Sequence, residues 1–172
     1  MVFTNTVVDV TSLPAAEVVL FTAPPPAYFN MLRVQWYLTA AALLLPVVAC
    51  IIFIGALQTP ALISLLLFGW LLICALHYLF LFKTAAVKGY AVREHDVALR
   101  HGWPVLQTEW VPFNRVQNCT LEIGPLERRF GLATLNFFTA GADGGDISLS
   151  GLPHQTAQEL RSFILSRINA AA

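Results

Sequence analysis

The sequence lacks charged residues over one long stretch. Between Trp36 and Phe82 there is no Asp, Glu, Lys or Arg, so all 10 basic and all 10 acidic residues of the chain lie outside it. A run of this length without charge is typical of membrane-spanning helices. The alternative, one long helix buried in a soluble protein, is disfavoured because the rest of so small a chain has too little surface to cover it.

The charge-free stretch divides into two segments, 36–57 and 61–82, on either side of Gln58-Thr59-Pro60. Each segment is about 33 Å long as a helix, slightly more than a bilayer core of about 30 Å. The residues between them are polar, include a helix breaker and are too few to do more than turn the chain. The sequence therefore predicts a transmembrane helical hairpin over residues 36–82.

Basic residues flank this hairpin on one side only. Arg33 precedes the first span, Lys83 and Lys88 follow the second, and the turn between the spans has no charge. Because positively charged flanks stay in the cytoplasm, both termini are expected there. Trp36 and Tyr37 have the amphipathic rings that favour the membrane surface, so these five residues are predicted to be the membrane-interface anchors.

Cysteine pairs and a basic excess are also missing. Cys50, Cys74 and Cys119 have no CxxC spacing and no neighbouring His, so they are predicted to be buried free thiols. The formal net charge is zero and the pI is near 6.9. Nucleic-acid binding normally needs a clustered excess of Lys and Arg, so no nucleic-acid partner is expected.

No motif for catalysis or metal binding is present. The acidic pairs 94/96 and 143/146 fall in predicted turns, where Asp and Glu usually bond to local backbone groups. His95, His101 and His154 are isolated and are also expected on turns. Ser, His and acidic residues form no nucleophile pattern. The sequence thus predicts a protein that is not an enzyme, with no catalytic residue, cofactor or metal.

After the hairpin the chain changes to short alternating segments separated by turns rich in Gly, Pro, Asn and Asp. Strands are expected at residues 90–93, 97–100, 107–111, 118–123, 133–137 and 147–149. A short helical or turn segment is expected over Leu126–Phe130. A final helix is expected to begin at Pro153, with an apolar stripe of Ala157, Leu160, Ile164 and Ile168. This pattern predicts an α+β fold over residues 87–170, a roll of antiparallel strands closed by an amphipathic C-terminal helix.

The segment before the hairpin, residues 1–35, is too short and too rich in proline to form another domain. Its one apolar run, Val18–Phe21, is either a short strand or a piece lying on the membrane. Ala27–Gln35 has a helix-compatible composition and is expected to extend the first span outward. The role of residues 1–30 stays open.

Four stretches of the soluble part resemble one known family. They are Val111–Gln117, Gly124–Leu135, Thr139–Gly141 and Gly151-Leu152. Together with the hairpin, which extends the match to about residues 33–168, they are similar to the bacterial pleckstrin-homology-like (PH-like) domain of small YdbS-type membrane proteins. The resemblance implies a PH-like β-roll anchored in the bacterial inner membrane, sometimes beside larger relatives with several such domains. It implies no catalytic residues.

Three arginines lie in these family-like stretches, Arg115, Arg128 and Arg129. Guanidinium groups suit phosphate oxygens, so one hypothesis places a phospholipid headgroup site here, at the membrane-facing side of the domain. The alternative is that the arginines pair with Glu122, with Glu127 or with the domain's own backbone.

The leading functional hypothesis is a non-catalytic module that binds other membrane proteins, including a larger relative with several PH-like domains or further copies of itself. Exposed strand edges that accept a partner strand favour it. The alternative is recognition of anionic lipids or phospho-headgroups through the three arginines. A transport subunit is disfavoured, because two spans without intramembrane charges do not line a polar route.

Overall fold

The computed structural model describes residues 19–55, 59–139 and 147–171. Two long helices come first, α1 (Pro26–Phe53) and α2 (Pro60–Val87). Each begins with a proline, which is tolerated there because the first N–H groups of a helix have no partner within it. The expected extension of the first helix over Ala27–Gln35 is confirmed, and Gln58 of the predicted turn lies outside the described residues.

Both helices are long and apolar enough to cross a membrane, and their apolar side chains are largely exposed. Two indole groups join them. Trp36 Nε1 donates to the carbonyl oxygen of Cys74 at 3.0 Å, and Trp70 Nε1 donates to that of Ala40 at 3.2 Å. Ala40 and Cys74 are buried, so small side chains lie where the two helices approach each other.

The rest of the described chain forms two three-stranded antiparallel sheets. The first contains β1 (Gly89–Val92), β2 (Asp96–His101) and β3 (Gln107–Pro112) in that order, and the second contains β4 (Val116–Glu122), β5 (Leu132–Thr139) and β6 (Ile147–Pro153). A 3-10 turn, Phe113–Arg115, joins the sheets. Helix α3 (Pro125–Phe130) connects β4 to β5, and helix α4 (His154–Ala171) follows β6. The predicted α+β fold is confirmed.

The main core lies between the sheets and α4. Alternate residues of β2 and β5 point into it, among them Val97, Leu135 and Phe137, and the predicted apolar stripe of α4 enters it through Leu160 and Ile164. Its buried members are Val97, Leu99, Val111, Phe113, Val116, Cys119, Ala133, Leu135, Phe137, Leu149, Leu152, Ala157, Leu160 and Ile164. The domain therefore buries an apolar core of its own.

A second, smaller cluster joins this domain to the base of the helices. It contains Tyr28, Met31 and Leu32 of α1, Ala85 of α2 and Leu132 of β5, with Leu126 and Phe130 of α3 packed against it. Tyr28 also covers Gly151 of β6. A Cβ atom at Gly151 would lie 2.5 Å from the Tyr28 ring, so only glycine permits this close approach. The domain thus rests directly on the hairpin base.

Several local predictions were wrong. His101 ends β2 and His154 begins α4, so neither lies on a turn. All three cysteines are free as predicted, but Cys50 is exposed because its side of α1 has no neighbour within the described chain. β6 extends to Pro153, where the final helix was expected to begin. The acidic pair 143/146 lies outside the described residues.

Candidate functional site at the hairpin base

Basic side chains gather at the end of the domain that faces the helices. β1 starts where α2 ends, and β2 returns to that end, so the register pairs Gly89 with Arg100. β4 runs back to the same end, because α3, which follows it, packs on α1. Strand direction, together with the packing of α3 on α1, therefore brings Lys88, Arg100 and the arginines of α3 to one end of the domain.

Lys88 lies half-buried between the helices and the domain. Its Nζ donates to the hydroxyl of Tyr28 at 2.9 Å and to that of Ser150 at 2.9 Å. Both acceptors are neutral, and no described carboxylate forms an ion pair with this ammonium group. Lys88, predicted from the sequence as a membrane-interface anchor, thus links α1, α2 and β6.

Arg100 lies beside it at the end of β2. Its Nε donates to the carbonyl oxygen of Val87 at 3.2 Å, and its guanidinium group lies over the ring of Phe21, 4.6 Å from the ring centre. Phe21 is held there because its neighbour Thr22 exchanges two backbone hydrogen bonds with Tyr90 of β1. The segment before α1, whose role the sequence left open, therefore orients Arg100.

These side chains line a small open pocket of about 30 Å³, called the basic pocket below. Its polar walls are Lys88, Arg100, His101, Ser148 and Ser150, and none of the described residues that line it is acidic. Burial raises the pKa of Tyr90, another lining residue, so its phenol stays protonated and adds no negative charge. Glu109 lies 3.6 Å from the His101 ring but is not part of the lining.

The three arginines predicted as a headgroup site are not brought together. Arg128 and Arg129 lie exposed on α3, at the hairpin end. Arg115 lies in the turn before β4, about 20 Å away, since β4 has 7 residues and a strand rises about 3.3 Å per residue. A single small headgroup therefore does not contact all three.

The ion pairs expected as the alternative are also missing from the described part of the chain, where no acidic group bonds to Arg115, Arg128 or Arg129. The carboxylate of Glu127 instead accepts the Gly124 N–H at 2.7 Å and the Thr134 hydroxyl at 2.6 Å. It thereby caps α3, whose N-terminal N–H groups lack partners inside the helix. The guanidinium groups on α3 remain available to an external anion.

The other predicted anchors lie just below the domain. Trp36 bonds to α2, and Tyr37 packs edge-on against the Trp36 ring at 5.1 Å. Arg33 is exposed and donates to the side chain of Asn30 at 3.3 Å, and Lys83 is exposed on α2. Together with Arg128 and Arg129, Arg33 and Lys83 form a basic rim around the hairpin base.

An apolar loop between β2 and β3 lies beside α2. The ring of Trp103 contacts that of Phe80 edge-on, with ring centres 6.1 Å apart. Val105 and Leu106 are 69% and 56% exposed, which is unusual for large apolar side chains on a small domain. Phe80 belongs to the charge-free stretch, so this loop continues the apolar surface of the helices.

Sequence reasoning missed Arg100, Ser150 and Tyr28. A usable signal existed for Arg100, since the predicted hairpin of β1 and β2 already places it near Lys88 and Gly89. Ser150 and Tyr28 gave no signal, because they meet Lys88 only when β6 and α1 dock. No group of His, Cys, Asp or Glu residues suited to hold a metal ion occurs in the described part of the chain.

Comparison with known proteins agrees with this architecture. The family model described as bacterial PH domain matches residues 32–168, which includes α1 from Leu32 onward, all of α2 and both sheets. No curated protein and no solved structure matches the chain. Because the match covers most of the 172 residues, the chain belongs to the bacterial PH domain family.

Proposed function

We propose that this chain is a non-catalytic, YdbS-type interaction module of the bacterial inner membrane. The charge-free hairpin spans the membrane, and the basic rim keeps both termini and the PH-like domain at the cytoplasmic face. There the domain holds a membrane-protein partner, either a larger relative with several PH-like domains or a second copy of this chain.

The observation that supports partner binding is the open edge of β3. β3 pairs with β2 on one side, and no described residue bonds to its other side. Two other sheet edges are covered: Thr22 pairs with β1, and Arg161 of α4 donates to the Cys119 carbonyl of β4 at 3.2 Å. An unpaired strand edge offers backbone donors and acceptors to a strand of another protein.

Mass measurement after extraction from the native membrane in mild detergent tests this function. We expect a species heavier than the 18.9 kDa chain, and its mass identifies the partner as a second copy or a larger relative. Lysines on the open edge, Thr108→Lys with Trp110→Lys, should release the monomer, since edge lysines oppose strand addition. The matched pair Gln158→Lys with Ser162→Lys, on α4 and away from the open edge, should leave the heavier species intact. A monomer without co-purifying protein in the unaltered chain would contradict the function.

Anionic-lipid recognition is the second candidate function, favoured by the basic rim and its lack of acidic partners. Each Lys or Arg near an anionic surface contributes about 1 kcal/mol of attraction. Lipids that co-purify with the chain should therefore be enriched in anionic species, and Arg128→Gln with Arg129→Gln should reduce the enrichment. Arg115→Gln, at the far end of the domain, serves as the control. Equal enrichment in all three proteins would exclude the basic rim as the lipid site, and an unaltered chain whose lipids are not enriched in anionic species would exclude this function.

A further inference from the structure

The basic pocket contains two cations, Lys88 and Arg100, that pair with no acidic group among the described residues. Lys88 and Arg100 both line it, both are half-buried, and the polar groups they contact are neutral hydroxyls and a backbone carbonyl. Half-buried charges without counter-charges are unfavourable, because the neighbouring protein replaces part of their water. We propose that the basic pocket binds one phosphate monoester group, whose charge of about −2 near neutral pH balances both cations.

The unused hydrogen-bond donors fit this ligand. Lys88 has three N–H donors and uses two, on Tyr28 and Ser150. Arg100 has five and uses only Nε, on Val87, so its two terminal amino groups remain free for the paired bonds that guanidinium makes to phosphate. Ser150 accepts from Lys88, which leaves its own O–H to donate.

The pocket is also pre-organised. The ring of Phe21 lies against the guanidinium group of Arg100, and Ser150 and Tyr28 fix the end of Lys88. The side chains need little ordering on binding, which lowers the entropic cost. A volume of about 30 Å³ holds about two water-sized groups, so two phosphate oxygens fit inside and the rest of the ligand stays outside.

The position of the pocket favours a phosphate attached to a lipid. Lys88 lies about 9 Å beyond Phe82 along the helix axis, just beyond the outer edge of a headgroup layer about 5 to 7 Å thick. The loop that follows His101 brings Trp103 against Phe80, at the level where tryptophan meets the acyl chains. A soluble phosphate monoester has the same chemistry, and the experiment below separates the two sources.

The proposal deepens the second candidate function and names a site for it other than the basic rim. Native mass spectrometry of the full chain in neutral detergent, titrated with phosphatidate or with phosphatidylcholine, tests it. We expect one phosphatidate to bind about tenfold or more tightly than phosphatidylcholine, and Arg100→Gln to remove most of that preference. Arg100→Lys, which keeps the charge but loses the paired geometry, should bind with intermediate affinity.

Inorganic phosphate and glycerol 3-phosphate identify the source of the group. If either displaces phosphatidate at constant ionic strength, the pocket accepts soluble phosphate; if neither does, it requires the lipid. Thermal unfolding of each variant checks that the fold survives. If Arg100→Gln misfolds, the binding measured with the unaltered chain still tests the proposal. Equal affinity of that chain for phosphatidate and phosphatidylcholine would overturn it.

The variant Arg128→Gln with Arg129→Gln distinguishes lipid binding at the basic pocket from lipid binding at the basic rim. If Arg128→Gln with Arg129→Gln weakens phosphatidate binding while Arg100→Gln does not, the pocket proposal is wrong and lipid recognition by the rim stands. If Arg100→Gln alone weakens binding, the pocket is the site. If neither variant changes the preference, both the pocket and the rim are excluded as lipid sites.

Discussion

The helical hairpin exposes most of its apolar side chains, whereas the PH-like domain buries its own in a core. In the domain, Phe137 is fully buried between the sheets, whereas Phe68 of α2 is 63% exposed. The domain is built to exclude water by folding onto itself, which is the usual source of stability for soluble proteins. The hairpin buries little of its apolar surface and is therefore suited to an apolar solvent around it.

The bonds that hold each region together differ accordingly. The domain depends on packing, as where Phe113 meets the ring of Phe163 with centres 5.9 Å apart. The hairpin uses indole N–H groups of Trp36 and Trp70 to join its helices through backbone carbonyls. In lipid there is no hydrophobic drive between helices, so helices that pair there rely on close approach and hydrogen bonds of this kind.

The largest expected difference between the regions comes from truncating one phenylalanine in each. Phe137→Ala should lower the free energy of unfolding of the domain by about 3 to 5 kcal/mol, because a buried cavity remains. Phe68→Ala on the exposed face of α2 should leave it unchanged. Thermal unfolding of the full chain in lipid nanodiscs measures both. Equal effects would remove the distinction between a packed domain and a lipid-facing hairpin.

A smaller effect is expected where the regions meet. Gly151 and Gly131 both have positive φ, 84° and 66°, so alanine strains either backbone by about 1 to 2 kcal/mol. Only at Gly151 would the new Cβ also strike the Tyr28 ring. Gly151→Ala should therefore loosen the domain from the hairpin and speed trypsin cleavage after Lys88, compared with Gly131→Ala. The same cleavage rate in both variants would show that the Tyr28 contact does not hold the domain.

The last expected effect is absent at neutral pH, because the domain loses this part of its stability only in alkaline solution. Burial raises the pKa of the Cys119 thiol from 9.0 to about 11, although the Arg161 charge works against this. The unfolded chain thus loses the proton first, so stability is constant below pH 9.0 and falls as pH rises toward about 11. Tyr90, whose pKa burial also raises, acts in the same direction above its usual value of 10.0. Between pH 9.0 and about 11, the free energy of unfolding should fall less steeply with pH in Cys119→Ala than in the unaltered chain. An unchanged slope would show that the Cys119 thiol does not contribute to the alkaline loss of stability.

Local patterns in the sequence were enough to predict the hairpin and most strands. The charge-free stretch and the alternation in Val97–Leu99 depend on neighbours in the chain, so a sequence displays them directly. The candidate site depends on docking instead. Lys88 and Ser150 meet only because α1 and β6 approach, and the length of β4 separates Arg115 from α3. The three arginines share the same chemistry, so the sequence suggested that they form one cluster. The fold instead places Arg115 far from Arg128 and Arg129.

In the proposed topology the hairpin spans the membrane and the domain lies on the cytoplasmic side. Reporter fusions after Ala172 in living cells test this topology, with a second fusion at Gln58 in the predicted turn. We expect green fluorescent protein fused after Ala172 to be fluorescent and alkaline phosphatase fused there to be inactive, whereas the phosphatase fused at Gln58 should be active. An active phosphatase after Ala172 would contradict this topology.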